Sequence, residues 1–318
     1  MLPPVAGVPF PLAGEAAALA SSLTWAGAVL VYRRMRGRVE AAAVGLVKNA
    51  TAALAFTAAL LIVWQRAWPT AMPAGAQGLF VASGFAGLAI CDTFLIRSLM
   101  EIGPRRATLL MLLAPVWVFF GALAPPLREA AVLGEPRRLL GVALALSGVA
   151  MAASESPDVD ADPARWRRGV LDGLLASTFQ AVGILLSRSG FLVATGSPRN
   201  VPLDVVAGAS QVRLVAGTLG LAAAGLLLRQ WPAWRRSLSA PGTLRPISLT
   251  ALYSTFLGIG FFQAGQAWAT SAGVATTLSQ LTPVWIIPLS TMFLSERHGP
   301  RAWLSTAVAL GGVALMTL

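Results

Sequence analysis

Ionisable and reactive residues are scarce in this chain of 318 residues. Only 12% of the residues are charged, about half of the share that is usual for soluble domains. The single cysteine, Cys91, excludes an internal disulfide and a cysteine-rich metal site. The single histidine, His298, is too isolated for a metal site or a catalytic triad. No Gly-x-x-x-x-Gly-Lys-Ser/Thr loop occurs, which excludes ATP hydrolysis by that route.

Apolar residues dominate instead. They make up 56% of the chain, and the mean hydropathy is +0.70. Runs such as 41–64 and 299–318 are long enough to cross about 30 Å of hydrocarbon. The net charge of +11 comes from short basic clusters between these runs, a pattern typical of helices held against lipid headgroups rather than of nucleic-acid binding. The composition therefore predicts a polytopic protein of the cell membrane, with the lipid bilayer as a partner and no nucleic acid.

One stretch of sequence occurs twice. Residues 107–117 begin with Ala-Thr-Leu and end in Pro-Val-Trp, and residues 275–285 begin with Ala-Thr-Thr and end in Pro-Val-Trp at the same spacing. Each copy runs on to an acid, Glu129 or Glu296, and then to a Pro-Arg pair that opens an apolar helix rich in small residues. A duplicated membrane segment is typical of transporters that bind their substrate between two repeats.

The hydropathy pattern predicts an all-α fold of about ten transmembrane helices. The predicted spans lie near 14–33, 42–64, 76–99, 105–124, 136–153, 169–188, 204–228, 248–270, 274–294 and 301–318. They form a first repeat over 1–153 and a second over 169–318, joined by an acidic and basic linker at 154–168. Because each half has five spans, the halves run in opposite directions through the membrane as an inverted repeat.

The orientation in the membrane stays open at this stage. Counting Lys and Arg in the connecting segments favours both termini outside the cytoplasm. Small residues in the last span of each half, among them Gly148 and Gly312, let helices approach closely. This contact lies within one chain or between two copies, so both a monomer and a homodimer remain open.

These features resemble the drug/metabolite transporter superfamily, in particular its EamA-type members. The resemblance rests on the repeated Ala-Thr-x-Leu…Pro-Val-Trp segment, the acid after the fourth and ninth spans and the Gly-Val-rich last helix of each half. The segment from Cys91-Asp92-Thr93-Phe94 to Gly103-Pro104-Arg105-Arg106-Ala107 adds to it. The resemblance implies ten helices around a central cavity, transport of small metabolites by alternating access, and termini in the cytoplasm.

Asp92 is the sharpest functional candidate. It lies well inside the third predicted span, where an ionised carboxylate is costly and is usually kept for ion coupling or substrate contact. Such a carboxyl can take up a proton from one side of the membrane and release it to the other. The alternative is a structural acid that is either protonated or paired with an arginine, for which Arg97 is the candidate. In the second half Gln263 occupies the corresponding position, so the two halves are chemically unequal.

Two polar stripes at helical spacing are candidates for the lining of the cavity. They consist of Gln263, Gln266 and Thr270 in the eighth span, and of Thr276, Gln280 and Pro283 in the ninth. Amides and hydroxyls also join membrane helices to one another, which is the structural alternative for each residue.

Several other residues are weaker candidates. Pro115 and Pro283 each remove a backbone hydrogen bond and loosen their helices. Trp285 is a candidate for the wall or gate of the cavity. Ser177 and Gln180, in the sixth span, are further candidates for its lining.

Two basic residues occupy matching positions, Lys48 in the second span and Arg213 in the seventh. They could attract an anionic substrate, but extension of their side chains to the membrane surface is the simpler interpretation.

The sequence therefore predicts a secondary transporter, in the first place an exporter, without a cofactor. Its substrate would be a small polar or amphipathic metabolite, such as an amino acid, with a proton as coupling ion if Asp92 titrates. Two alternatives stay open: an integral membrane partner or assembly protein that transports nothing, and an enzyme that modifies lipids. The second would need several His, Asp or Glu residues near the headgroups.

Overall fold

The described residues form helices joined by short connections, with no strand among them, in a computed structural model. The structure describes residues 12–124, 127, 136–153, 162–197, 201–294 and 299–317. In chain order the helices are α1 (Ala13–Arg34), α2 (Ala41–Trp64), α3 (Ala74–Ile102), α4 (Pro104–Leu110), α5 (Leu113–Gly121), α6 (Pro136–Ala153), α7 (Pro163–Thr195), α8 (Leu203–Leu227), α9 (Trp231–Ser239), α10 (Leu244–Trp268), α11 (Ala272–Ser279), α12 (Thr282–Leu294) and α13 (Pro300–Thr317).

Six of these helices, α1, α2, α3, α7, α8 and α10, are long and apolar enough to cross a membrane. Large apolar side chains on their outer faces remain exposed, for example Leu54, Ile62 and Leu227. Such a surface suits hydrocarbon and not water. The prediction of an all-helical membrane protein is confirmed at this level, and the six helices lie where six of the predicted spans were placed.

Two further predicted spans are interrupted helices. The segment predicted as one span over 105–124 consists of α4 and α5, with a break at Met111 and Leu112. The segment predicted over 274–294 consists of α11 and α12, with a break at Gln280 and Leu281. Each break lies just before a proline, Pro115 or Pro283, which has no N–H to donate to the carbonyl four residues earlier.

The linker between the halves differs from its predicted extent. Helix α7 begins at Pro163, so residues 163–168 are helical rather than part of a linker. The side chain of Asp162 accepts a hydrogen bond from the N–H of Ala164 at 2.9 Å, and Pro163 follows as the first helical residue. These are the preferred residue types at a helix start. Residues 154–161 and the candidates Glu129, Glu296 and His298 lie outside the described residues.

The helices pack in pairs that are symmetric when the two halves matched in the sequence are exchanged. Helix α1 packs on α10, and its counterpart α7 packs on α3. Helix α1 also contacts α11 and α12, as α7 contacts α4 and α5. The remaining pairs are α2 with α8 and α6 with α13, each of which joins two counterparts. The contacts therefore run mainly between the halves, which places an interface through the centre of the molecule.

Glycine brings α6 and α13 into backbone contact. A Cβ added at Gly148 would lie 2.3 Å from the backbone nitrogen of Ala309, and one added at Gly312 would lie 2.2 Å from that of Ala145. Neither position has room for a side chain. The neighbouring Gly311 has open space around it, so it does not contribute to this contact.

We expect Gly312→Ala to destabilise the protein by about 1–3 kcal/mol, because the added methyl group forces the two backbones apart. Gly311→Ala is the matched control and should be neutral or slightly stabilising, since alanine is the better helix former. Thermal unfolding of both variants in detergent checks this. Equal melting midpoints for the two variants would contradict the close contact.

Candidate functional site

An ion pair between Lys48 and Asp92 is buried in the middle of the helix bundle. Lys48 lies a third of the way along α2, and Asp92 follows a π-helical segment of α3, Phe85–Cys91. The Lys48 Nζ and the Asp92 Oδ2 are 2.5 Å apart, with side-chain exposures of 1% and 8%. Two charges removed from solvent to this degree require each other, because either one alone would be strongly unfavourable.

The surroundings of the ion pair fix the lysine. Its ammonium donates a second hydrogen bond to the Asn49 Oδ1 at 3.0 Å and lies 5.4 Å from the centre of the Trp25 ring. Asn49 in turn donates from its Nδ2 to the carbonyl of Leu88 at 2.8 Å. Leu88 belongs to the π-helical segment, and such segments are common at functional sites.

Arg213 occupies the matching position in the second half. It lies in α8 with 1% exposure and donates from its Nη1 to the side-chain Oε1 of Gln263 on α10. Gln263 donates from its Nε2 to the Ser187 Oγ at 2.8 Å. The guanidinium lies 5.5 Å from the centre of the Phe262 ring. Each half thus has a buried basic residue that contacts the position equivalent to Asp92, but only the first half has an acid there.

These groups border a small central cavity of about 70 Å³. Lys48, Asp92 and Arg213 line it together with polar and apolar residues from both halves. The other lining residues include Ser21, Trp25, Leu95, Thr108, Met111, Gln180, Ser254, Phe262, Ser279, Gln280 and Thr282. The volume accommodates a few water molecules and is well below the roughly 300 Å³ of a small ligand site.

The two prolines that interrupt helices, Pro115 and Pro283, leave carbonyl-bearing residues at the wall of the cavity without their usual helical N–H partner. Met111 lies four residues before Pro115, and Ser279 lies four residues before Pro283; both line the cavity. Both interruptions of the helices therefore lie at its wall. The carbonyl of Met111 accepts a hydrogen bond from the N–H of Ala114 at 2.9 Å in place of the missing one.

The structure brings together three of the candidate residues at the cavity: Asp92, Gln180 and Gln280. Gln263 is not part of the cavity lining, but its side chain accepts a hydrogen bond from Arg213, which is. Gln266 is fully buried, and neither the oxygen nor the nitrogen of its side-chain amide has a hydrogen-bond partner. Its backbone carbonyl accepts a hydrogen bond from the Arg188 Nη1 at 2.6 Å.

The other candidates lie away from the cavity lining. The hydroxyls of Ser177 and Thr276 donate to carbonyls of their own helices. Trp285 donates from its Nε1 to the Ser22 Oγ at 3.0 Å, which joins α12 to α1. Thr270 is exposed and does not share the helical face of Gln263, because α10 ends at Trp268.

The sequence interpretation was wrong about three basic residues. Arg97 does not pair with Asp92 but with Asp172 on α7, at 3.2 Å. Lys48 and Arg213 do not extend to the membrane surface; both are buried at the cavity. The sequence did contain an indication that Lys48 and Arg213 lie at the cavity. They occupy matching positions in the two halves, which a common role explains better than chance.

These observations define a multi-pass integral membrane protein with a polar centre between helices from two halves of the chain. A family model identifies the class more closely: residues 167–318 match the EamA-like transporter family. The second half of the chain is therefore similar to this family of membrane transporters, in agreement with the resemblance to the drug/metabolite transporter superfamily.

One solved crystal structure superposes with a TM-score of 0.64 at 17% sequence identity, over 96% of this chain and 95% of that one. At this identity the likeness shows a common fold. None of the curated proteins matches the sequence.

We expect the ion pair to behave as one unit in a double-mutant cycle. Lys48→Met and Asp92→Asn should each destabilise the protein by about 3–5 kcal/mol, because each leaves one buried charge without its partner. The double variant should lose much less stability than the sum of the losses of the two single variants. Unfolding of the purified variants in detergent measures this coupling.

The control cycle uses the exposed pair Arg66 and Asp204, whose charged atoms are 3.9 Å apart. Arg66→Gln and Asp204→Asn should change stability by about 0–1 kcal/mol. Strictly additive losses at Lys48 and Asp92 would contradict a direct interaction between them.

Proposed function

We propose that the protein is a secondary active transporter that exports small metabolites by alternating access, with the central cavity as its substrate site. The observation that carries this proposal is the buried group of Lys48, Asp92 and Arg213 at a cavity between the two halves. Ionisable residues inside a membrane protein are costly and usually mark the path of a substrate or an ion.

The packing supports an architecture of two related halves. Each main helix contact has a counterpart when the halves are exchanged. In an inverted repeat of this kind, the halves can exchange their shapes, so that the site opens first to one side and then to the other. We include in the proposal ten spans in two five-helix repeats, 1–153 and 169–318.

The small size of the cavity indicates that the helices around it must move before a substrate can enter. At about 70 Å³ the cavity is too small for a metabolite. Entry of a substrate therefore requires the helices around it to separate. The interrupted helices α4–α5 and α11–α12 form part of the wall and are the least continuous elements there, so we assign the opening movement to them.

Asp92 is the proposed site of proton coupling. A proton on its carboxylate would cancel the attraction to Lys48 and release the ammonium from the 2.5 Å contact. The charge at the cavity would then rise by one unit, which changes its affinity for a charged substrate. Proton transfer and substrate binding would thereby depend on each other, as coupled transport requires.

We expect cells that produce the wild-type protein to enrich at least one metabolite in the medium, and cells that produce Asp92→Asn not to do so. The physical reason is the loss of the carboxylate that holds Lys48 and takes up the proton. Untargeted comparison of extracellular metabolites measures the difference, after equal amounts of protein in the membrane have been verified.

Asp204→Asn is the matched control, since Asp204 is a partly exposed acid in a surface pair, and this variant should export like the wild type. Equal enrichment with Asp92→Asn would leave transport intact and reduce Asp92 to a structural role. An unchanged medium with the wild type would oppose export and favour uptake or the role of a non-transporting partner protein.

A further inference from the structure

The charges at the central cavity do not balance. Lys48 and Asp92 neutralise each other in their 2.5 Å contact. Arg213 is equally buried, but it forms no ion pair with any carboxylate in the part of the chain that the structure describes. Its contact on α10 is the neutral amide of Gln263. The lining of the cavity therefore carries one positive charge in excess.

A buried guanidinium with an incomplete set of acceptors is unfavourable. Arg213 has five N–H donors, and its Nε has no hydrogen-bond partner in the structure. Its Nη1 donates to a neutral acceptor, the Gln263 Oε1. Burial of a charge that forms no direct ion pair is costly in a protein interior. Such an arrangement is well suited to a ligand that supplies the missing charge.

The neighbouring helix leaves room for the guanidinium. A Cβ added at Gly84 would lie 2.2 Å from the backbone oxygen of Arg213, and one added at Gly87 would lie 3.1 Å from its Nη2. Glycine at these two positions of α3 lets the arginine lie against the backbone with its charged end at the cavity. The ring of Phe262 covers it at 5.5 Å. The arginine is thus held at the cavity wall from two sides.

We propose that Arg213 is the binding site for the carboxylate of the transported substrate, which is a small organic acid in its anionic form. This inference rests on the proposed transport function and names its substrate class. Arginine binds carboxylates through two parallel N–H donors, an arrangement that a neutral amide, with a single acceptor oxygen and no charge, cannot match. The hydroxyls and amides of Ser254, Ser279 and Gln280 line the same cavity and suit polar groups elsewhere on the substrate.

The Lys48–Asp92 pair limits the substrate further. Because Asp92 is already in contact with Lys48, no free carboxylate remains to receive a cationic group from the ligand. A substrate with a carboxylate and no ammonium group fits this arrangement best. An amino acid can bind in the same place only if its ammonium displaces Lys48 from Asp92.

Four compounds with one carbon skeleton separate these cases: 4-methylpentanoate, its neutral amide, leucine and leucinamide. Thermal unfolding of the purified full-length protein measures binding of each compound, because a ligand of the native state raises the melting midpoint. Proteoliposomes loaded with each radiolabelled compound measure its release. We expect 4-methylpentanoate to bind and to be released faster than from liposomes without protein, and its amide and leucinamide to show neither effect. Leucine should bind more weakly.

Two variants test the role of Arg213 in different ways. Arg213→Gln removes the charge and should weaken the binding of 4-methylpentanoate about tenfold to a hundredfold. Gln263→Glu keeps the arginine but provides it with a carboxylate of the protein. This variant should be at least as stable as the wild type and should nevertheless lose the binding of the anion. A merely structural role of Arg213 predicts that Gln263→Glu binds normally.

Arg235→Gln on α9 is the control, since Arg235 is exposed, and it should bind and release like the wild type. Normal anion binding by Gln263→Glu, or equal binding of the acid and its amide by the wild type, would overturn the proposal. If 4-methylpentanoate binds but is not released, the carboxylate site stands and the transport function fails. If the amide is released and the acid is not, transport stands and the carboxylate site fails.

Discussion

The burial of three charges at the centre of an apolar molecule is the constraint on which the rest of the structure depends. Lys48 and Arg213 lie on the two helices, α2 and α8, that pack against each other across the interface between the halves. Their charged groups have side-chain hydrogen-bond partners on the helices beside them, α3 and α10. The position of Asp92 against Lys48, and of Gln263 against Arg213, therefore fixes how α3 and α10 are rotated about their axes.

The two π-helical segments are linked to this constraint. One, Phe85–Cys91, directly precedes Asp92 in α3, and the other, Leu252–Leu257, precedes Gln263 by one and a half turns in α10. A π-helical segment adds a residue to the turn and rotates the chain that follows it. It also frees carbonyls, one of which, that of Leu88, accepts a hydrogen bond from Asn49. The same local irregularity thus aims the polar residue and provides anchors for its neighbours.

The positions of the helices could be predicted from the sequence, but their rotations could not. Long apolar runs locate membrane helices because the bilayer sets their length, and the prolines marked both interrupted helices. Which basic residue pairs with Asp92 depends on how α3 is rotated about its axis. Arg97 lies five residues further along α3, about 140° around the helix axis, and reaches Asp172 on α7 instead. Thr270 was placed on the face of Gln263 because the spacing of polar residues does not reveal that α10 ends at Trp268.

The inequality of the two halves has a consequence for how such a molecule can be assembled. In a symmetric pair of identical chains, every residue near the two-fold axis occurs twice, so the charge gathered there is always an even number. Here Asp92 corresponds to Gln263, and the centre contains two cations and one anion. An odd charge of this kind requires two halves that differ in sequence, and fusion into one polypeptide allows such a difference. Covalent fusion of the halves thereby provides an electrostatic asymmetry that a symmetric dimer cannot have.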